Sequence, residues 1–298
     1  MPSDDIAFGG SLDEGCDAGL RERQKERTKK LLENPGALCN MVRRIAVGAG
    51  EITLKYFDGL EDMQVDLKDD NSPVTLADRE AEGFIQVSLE MMTAGIPIVG
   101  EEAVALGKAP SVDGNQYFWL VDALDGTREF INGGDEFTVN IALIKDGEPV
   151  IGVVFAPAKG EMYAGYKGGP AVRWMQDADT EKEISVRPSP KQGLTVVASK
   201  SHGDTGKLDK FLESFKVEKL IQRGSSLKLC VIASGKADLY PRFGPTCEWD
   251  TAAGDAVLRA AGGVLTDLDG KPFTYGKSDP KWLNPEFVGC AFEWFDGE

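Results

Sequence analysis

The sequence predicts a mixed α+β and α/β protein, built in two halves from stacked sheets and helices. Three observations carry this. The chain has 298 residues, and at roughly 150 residues per domain that is about two domains, or one large one with two layered cores. Up to about residue 190, β-rich segments follow one another through short turns. Beyond it, strands alternate with helices, which favours parallel pairing. Hydrophobic residues make up 42% and charged residues 28%, an ordinary globular composition that excludes a disordered chain.

Residues 1–34 read as a polar N-terminal extension. RERQKERTKK (21–30) is a basic stretch interrupted by Glu22 and Glu26, so a solvated helix is expected, and Pro35-Gly36 closes it. From Leu38, apolar residues recur at three- and four-residue steps through Met41, Val42, Ile45, Ala49, Ile52 and Tyr56, predicting a helix that ends at Asp58-Gly59. Met63, Val65 and Leu67 alternate as a strand, DDNSP (69–73) is a turn, and a second helix runs through Ala81, Phe84, Ile85, Leu89 and Met92. IPIVG (96–100) and YFWLV (117–121) read as buried strands. FTVNIALI (137–144) and VIGVVFA (150–156), joined by KDGEP, form a hairpin signature, which EMYAGYK and AVRWM extend. This completes an N-terminal half, residues 35–190. In the C-terminal half, residues 191–298, LTVVAS, VEKLIQR, ADLYPRF and GGVLTDL are strands separated by helices.

The charge balance is 33 − 49 = −16. Such a chain repels polyphosphate backbones, so a nucleic-acid polymer is not expected as a partner. If its ligand is an anion, something cationic must sit in the site. Histidine occurs once, at His202, which excludes multi-histidine zinc sites. The five cysteines are widely spaced with no CxxC, as expected of reduced thiols in a cytoplasmic protein. No apolar run reaches the ~18 residues of a transmembrane segment.

Acids stand where strands or loops should end. Glu101-Glu102 follows IPIVG, Asp122-Ala-Leu-Asp125-Gly126-Thr127 follows YFWLV, and Glu248-Trp249-Asp250-Thr251 precedes an Ala-rich helix expected to start near Thr251. Two buried strands ending at one sheet edge would bring Glu101, Asp122 and Asp125 together. Carboxylates ~4 Å apart repel by roughly 4 kcal/mol at an effective dielectric near 20, and a hard divalent ion removes that repulsion. An all-oxygen donor set points to Mg²⁺ before zinc or copper. A DxxD turn can also present the Leu124 carbonyl, as in two-metal phosphoryl chemistry. Taken singly, each acid has a bland explanation: surface charge, turn former or helix N-cap.

SPVTLAD (72–78), IPIVGEE (96–102), WLVDALDGTREFI (119–131), FTVNIALI (137–144) and CEWDTAAGDAVLRAAGG (247–263) together resemble the inositol monophosphatase and fructose-1,6-bisphosphatase superfamily of lithium-sensitive, Mg²⁺-dependent phosphatases. Glu-Phe-Ile after DGT, SKSH (199–202), GSSLK (224–228) and YPRFGPT (240–246) look most like its bacterial 3′(2′),5′-bisphosphate nucleotidase branch. Ala123 replaces a usual Pro, and Gly100 stands where that branch often carries Ser. The resemblance implies a layered αβαβα sandwich and two to three Mg²⁺ ions. Glu101, Asp122 and the Leu124 carbonyl would hold the first ion. Asp122, Asp125 and Asp250 would hold the second, and Glu101 with waters a third. Asp78 and Thr127 would orient and deprotonate the attacking water, with Glu101 assisting catalysis. Gly126, Thr127, His202, Ser225, Lys228, Arg242 and Asp250 would surround the substrate. Lys68 lies near enough in sequence to approach the acids.

The expected activity is hydrolysis of the 3′-phosphate of 3′-phosphoadenosine 5′-phosphate, and of its sulfated analogue, by metal-activated water. The partner is thus a small phosphorylated nucleotide, with links to sulfur metabolism. An inositol- or sugar-phosphate phosphatase is the alternative, towards which Gly100 leans. A non-catalytic phosphonucleotide sensor would require a degraded metal site. The sequence leaves a homodimer open.

Overall fold

The computed structural model describes residues 14–59, 62–68, 73–199, 205–277 and 281–295. The turn expected over 69–73, apart from Pro73, and His202 lie outside these residues.

The chain opens with α1 (Glu14–Leu32) and α2 (Pro35–Phe57). Residues 22–27 of α1 are exposed, and Thr28 is buried. Pro35 suits the first turn of α2, where no N–H is needed, and the Asn34 side chain caps Ala37 N–H at 3.2 Å. The strand expected over 63–67 shrinks to β1 (Asp66–Leu67), paired with β2 (Pro73–Val74). Val65 and Leu67 are 50% and 68% exposed, so their alternation marks no core face. Then come α3 (Leu76–Met92), β3 (Ile98–Gly100), α4 (Glu101–Ala105), β4 (Tyr117–Asp125), α5 (Thr127–Ile131), β5 (Thr138–Lys145), β6 (Glu148–Ala156), β7 (Glu161–Tyr166), β8 (Ala171–Met175) and β9 (Thr180–Ile184). These strands form one seven-stranded sheet in sequence order, parallel only at β3–β4.

After residue 190 the chain builds β10 (Leu194–Ser199), α6 (Thr205–Leu212), β11 (Val217–Arg223), α7 (Leu227–Ala233), β12 (Leu239–Arg242), α8 (Glu248–Ala260), β13 (Val264–Asp267) and β14 (Phe287–Cys290). The second sheet has the order β11-β10-β12-β14-β13. Its β10 pairs in parallel with both β11 and β12, whereas β14 runs antiparallel to β12 and β13.

Three apolar clusters make the layers. Leu38, Val42 and Ala46 of α2, with Ile85 and Leu89 of α3, pack on Trp119, Val121, Ile141 and Val153 of the first sheet. The other face of that sheet, through Leu120, Ala142 and Val154, packs on Leu229 of α7 and Ala253 and Val257 of α8. Phe211, Leu212 and Phe215 cover Val196, Leu239 and Val288 on the far side of the second sheet. The order is α2/α3, sheet, α7/α8, sheet, α6, the αβαβα sandwich. β4 is buried over seven consecutive residues because helices cover both its faces, which is why it reads as an unbroken apolar run. At Gly152, a Cβ would stand 2.2 Å from the Ala253 carbonyl. Glycine there lets α8 lie directly on the sheet.

Candidate metal-assisted phosphatase site

The parallel pairing of β3 and β4 sets Gly100 beside Val121. Their successors, Glu101 at the start of α4 and Asp122 within β4, therefore stand side by side. Asp250 comes from the other half, on the first turn of α8. One carboxylate oxygen from each of Glu101, Asp122 and Asp250 lies within 4.8 Å of the others. These acids line a cleft of about 320 Å³ together with Leu124, Asp125, Gly126, Thr127, Ser225, Lys228 and Arg242.

Two of the aspartates are placed by the same device. Asp78 and Asp250 are each the third residue of a helix, and each carboxylate reaches back to the residue before the helix. Asp78 Oδ2 accepts from Thr75 N–H and Thr75 Oγ1, both at 2.7 Å. Asp250 Oδ2 accepts from Cys247 N–H at 2.8 Å. The positive ends of α3 and α8 thus face the cluster and offset part of its charge. The helix carrying Asp250 begins at Glu248, not near Thr251 as expected. Two of its first-turn N–H groups are already engaged, Glu248 with the Trp282 carbonyl at 2.8 Å and Asp250 with the Cys247 carbonyl at 3.1 Å. They are not open donors for a phosphate.

Asp122 accepts from Leu124 N–H at 3.0 Å, and the register shifts between Asp122 and Asp125. That irregularity turns both carboxylates of the DxxD segment towards the cleft. Gly126 follows at φ 92°, a left-handed conformation that glycine adopts without strain. Thr127 then starts α5, its hydroxyl 3.2 Å from both Asp78 Oδ1 and the Leu124 carbonyl.

Asp125 is held from the second half of the chain. Ser225 and Ser226 hydroxyls both lie 2.6 Å from its Oδ2, with the Asp250 carbonyl 3.0 Å from Ser226 Oγ. The serines are seated in turn by residues just before and along β5. Glu136 accepts from Gly224 N–H at 2.8 Å, Thr138 Oγ1 lies 2.5 Å from Ser225 Oγ, and Asn140 Nδ2 donates to Ser226 Oγ at 2.7 Å. Since Ser225 spends its proton on a carboxylate, Thr138 must donate to it. Residues 136, 138 and 140 share one face of an extended chain, so three alternate side chains meet three consecutive residues. This ladder was not recognised in the sequence. Its signal is Thr138 and Asn140 at a two-residue period inside an apolar strand. Asn140 Oδ1 is the buried side-chain polar atom left without a partner among the described residues.

Burial raises the pKa of Asp122 well above the ordinary carboxylate range, and Glu101, Asp125 and Asp250 add to it. Asp250 is raised likewise, by burial and then by Asp125 and Glu101. For Glu101, burial again raises the value, partly opposed by Lys68. Lys68 does approach the acids, lying 2.6 Å from both Glu101 and Glu102. Lys228 is lowered to about 8 by burial, against the pull of Asp125. Its ammonium donates to the Ser225 carbonyl and lies 5.6 Å from the Tyr240 ring centre. Arg242, at the end of β12, bonds the Gly244 and Pro245 carbonyls at 3.2 and 3.1 Å.

The donor chemistry fits a hard divalent cation. The converging ligand atoms are carboxylate oxygens, buried at Asp122 and half-buried at Glu101 and Asp250, and the Lys68 ammonium on Glu101 offsets only part of their charge, which suits an oxygen-seeking divalent ion.

The inositol monophosphatase family profile matches residues 37–286. The chain is 42% identical over 253 residues to the 3′(2′),5′-bisphosphate nucleotidase CysQ of Escherichia coli K12, covering 84% of this chain and 98% of that protein. It is 30% identical to the Haemophilus influenzae enzyme of the same name, over 87% and 94%. Among solved structures it is similar to CysQ from Bacteroides thetaiotaomicron, with a TM-score of 0.71, 36% identity, and coverage of 85% and 96%. The chain belongs to the inositol monophosphatase family. No described helix is long and apolar enough to cross a membrane.

Proposed function

We propose that the protein is a Mg²⁺-dependent 3′(2′),5′-bisphosphate nucleotidase, hydrolysing the 3′-phosphate of 3′-phosphoadenosine 5′-phosphate to AMP and phosphate, with the sulfated analogue as a second substrate. The observation that carries this is the trio of carboxylates within 4.8 Å in a cleft that also presents Lys228 and Arg242. A monophosphate ester needs a cation at one end only. A substrate with two phosphates calls for a second basic end, and these residues supply it. The 42% identity to CysQ supports the same substrate class.

Glu101, Asp122, the Leu124 carbonyl, Asp125 and Asp250 would hold two to three Mg²⁺ ions. When bound, the metal neutralises phosphoryl charge, acidifies water and stabilises the departing oxygen. The chain's own residues do the rest. Thr127 accepts the nucleophilic water's proton at Oγ1 as its own proton passes to Asp78 Oδ1, 3.2 Å away. Burial raises the Asp78 pKa, against the Thr75 hydrogen bonds, which makes it a better proton acceptor than an exposed aspartate. Ser225 and Ser226 hold Asp125. Gly126 fixes the turn, and Lys228 and Arg242, which line the cleft, would face the nucleotide. An anion of this size then enters a chain of net charge −16 only where these cations meet it.

The test is an initial-rate comparison of phosphate release from 3′-phosphoadenosine 5′-phosphate and from inositol 1-phosphate, in Mg²⁺ with and without Li⁺. The bisphosphate nucleotide should be strongly preferred and Li⁺ should inhibit. Preference for the inositol ester would overturn the substrate assignment.

A further inference from the structure

Glu82 lies four residues after Asp78, so both side chains leave α3 on one face. Asp78 turns to Thr127. Glu82, only 7% exposed, turns to the neighbouring helix. Its Oε2 accepts from Glu102 N–H and its Oε1 from Ala103 N–H, both at 2.8 Å. These N–H groups belong to the first turn of α4, whose first residue is Glu101. The residue before α4 is Gly100, which has no side chain to cap it. Glu82 therefore caps α4 from another helix, with both oxygens engaged.

Gly100 is part of the same contact. A Cβ built there would stand 2.4 Å from Glu82 Cδ and 2.5 and 2.7 Å from its two oxygens. The space that a serine or alanine would need is filled by the carboxylate. Gly100 thus reports on Glu82 and carries no weight for an inositol ester over a nucleotide.

We propose that Glu82 is a positioning residue for Glu101. Its carboxylate clamps the first turn of α4, so that the Glu101 side chain is presented to the metal, and Gly100 is the residue that the clamp requires. This rests on the metal reading of the acid cluster and is independent of the substrate. A mere filler of space at position 82 would not need a carboxylate. Glutamine has the same shape, but it offers one acceptor and turns an NH₂ towards the second N–H.

The experiment is calorimetric titration of Mn²⁺ into the full-length, substrate-free protein, alongside thermal unfolding. The variants are Glu82→Ala, Glu82→Gln, Gly100→Ala and the Glu82→Ala/Gly100→Ala double. Asp255→Asn serves as comparison. Asp255 is another fully buried acid, bonded to Arg259 and Tyr275 at 2.8 and 2.9 Å. Loss of a residue that orients a metal ligand weakens the metal by ~10–100-fold. Glu82→Ala should fall in that range and Glu82→Gln between it and wild type. Gly100→Ala should weaken Mn²⁺ on its own yet add almost nothing to Glu82→Ala. Asp255→Asn should lower the Tm with Mn²⁺ affinity unchanged. Should Glu82→Ala not fold, Glu82→Gln and Gly100→Ala carry the same comparison. Wild-type affinity in a folded Glu82 variant, equal weakening in Asp255→Asn, or additive effects at 82 and 100 would overturn the clamp. Failure of the wild type to bind Mn²⁺ would instead remove the metal reading, and the clamp with it.

Discussion

Asp78 and Asp250 occupy equivalent places at the starts of two helices, yet only Asp78 touches Thr127. That contact separates a proton-accepting role from a ligand role, and it can be tested. Asp78→Asn keeps an oxygen to accept from Thr75 but cannot take a proton. It should lower kcat by about 10²–10⁴-fold, the usual worth of general-base help, while Mn²⁺ affinity stays near wild type; full activity would remove Asp78 from the chemistry. Ser226 is the complementary case. Ser226→Ala removes a donor to Asp125 and strands the buried Asn140 amide, at a cost of about 1–3 kcal/mol. It should weaken Mn²⁺ by ~10-fold or more with little change in the KM for nucleotide at saturating metal, as measured by titration and initial rates. An unchanged metal affinity would make the seryl contacts on Asp125 incidental.

At the scale of elements, the site depends on how closely α8 lies on the first sheet, because that helix carries Asp250 across from the other half. Gly152→Ala would force a Cβ against the Ala253 carbonyl, 2.2 Å away. Overpacking of this kind costs about 1–3 kcal/mol, so we expect a lower Tm together with weaker metal binding. A lower Tm with intact metal binding would show that α8 can shift without moving Asp250. The elements legible in the sequence were those with strong periodicity or buried runs: α2, α3, β3 to β8, and the alternation from β10 to β13. The meeting of Glu101 and Asp122 was legible because neighbouring parallel strands set them side by side, but the third acid within 4.8 Å is Asp250 where Asp125 was expected, and β4 runs on to Asp125 instead of ending before Asp122. What escaped detection were elements and contacts fixed by distant partners. β14, FVGC, is too short to show a period, and it exists because it fills the gap between β12 and β13. Of the alternating Met63, Val65 and Leu67, only Met63 packs against a core cluster, and the other two are exposed. Glu82 is a single acid beside the apolar stripe of α3, and its partner N–H groups are twenty residues away. The ladder from Glu136 to Asn140 meets residues more than eighty positions later. No local pattern encodes such a meeting, although an acid or amide on a core-facing position signals that one exists.

For the whole molecule, the buried acids link stability to pH and metal. Burial raises the pKa of Asp78 and Glu101, pushes Asp122 and Asp250 well above the ordinary carboxylate range, and lifts Glu82 to about 7 from 4.5. A folded acid with a raised pKa keeps a proton that the unfolded chain has released. The folded state then binds more protons, and stability falls as pH rises from the unfolded values towards the folded ones. In EDTA, the Tm should therefore decline steadily as pH climbs above about 5, through at least the Glu82 value near 7. Millimolar Mg²⁺ should remove most of that decline, because it binds only the folded, deprotonated cluster. A Tm in EDTA that is flat or rising over this range would contradict the linkage. Glu101, Asp122 and Asp250, drawn from two halves of the chain, converge where a divalent ion would be held. The most direct test is anomalous diffraction from crystals grown with Mn²⁺. We expect a strong peak within coordination distance of carboxylate oxygens from all three residues, and the absence of any peak between them would contradict the account.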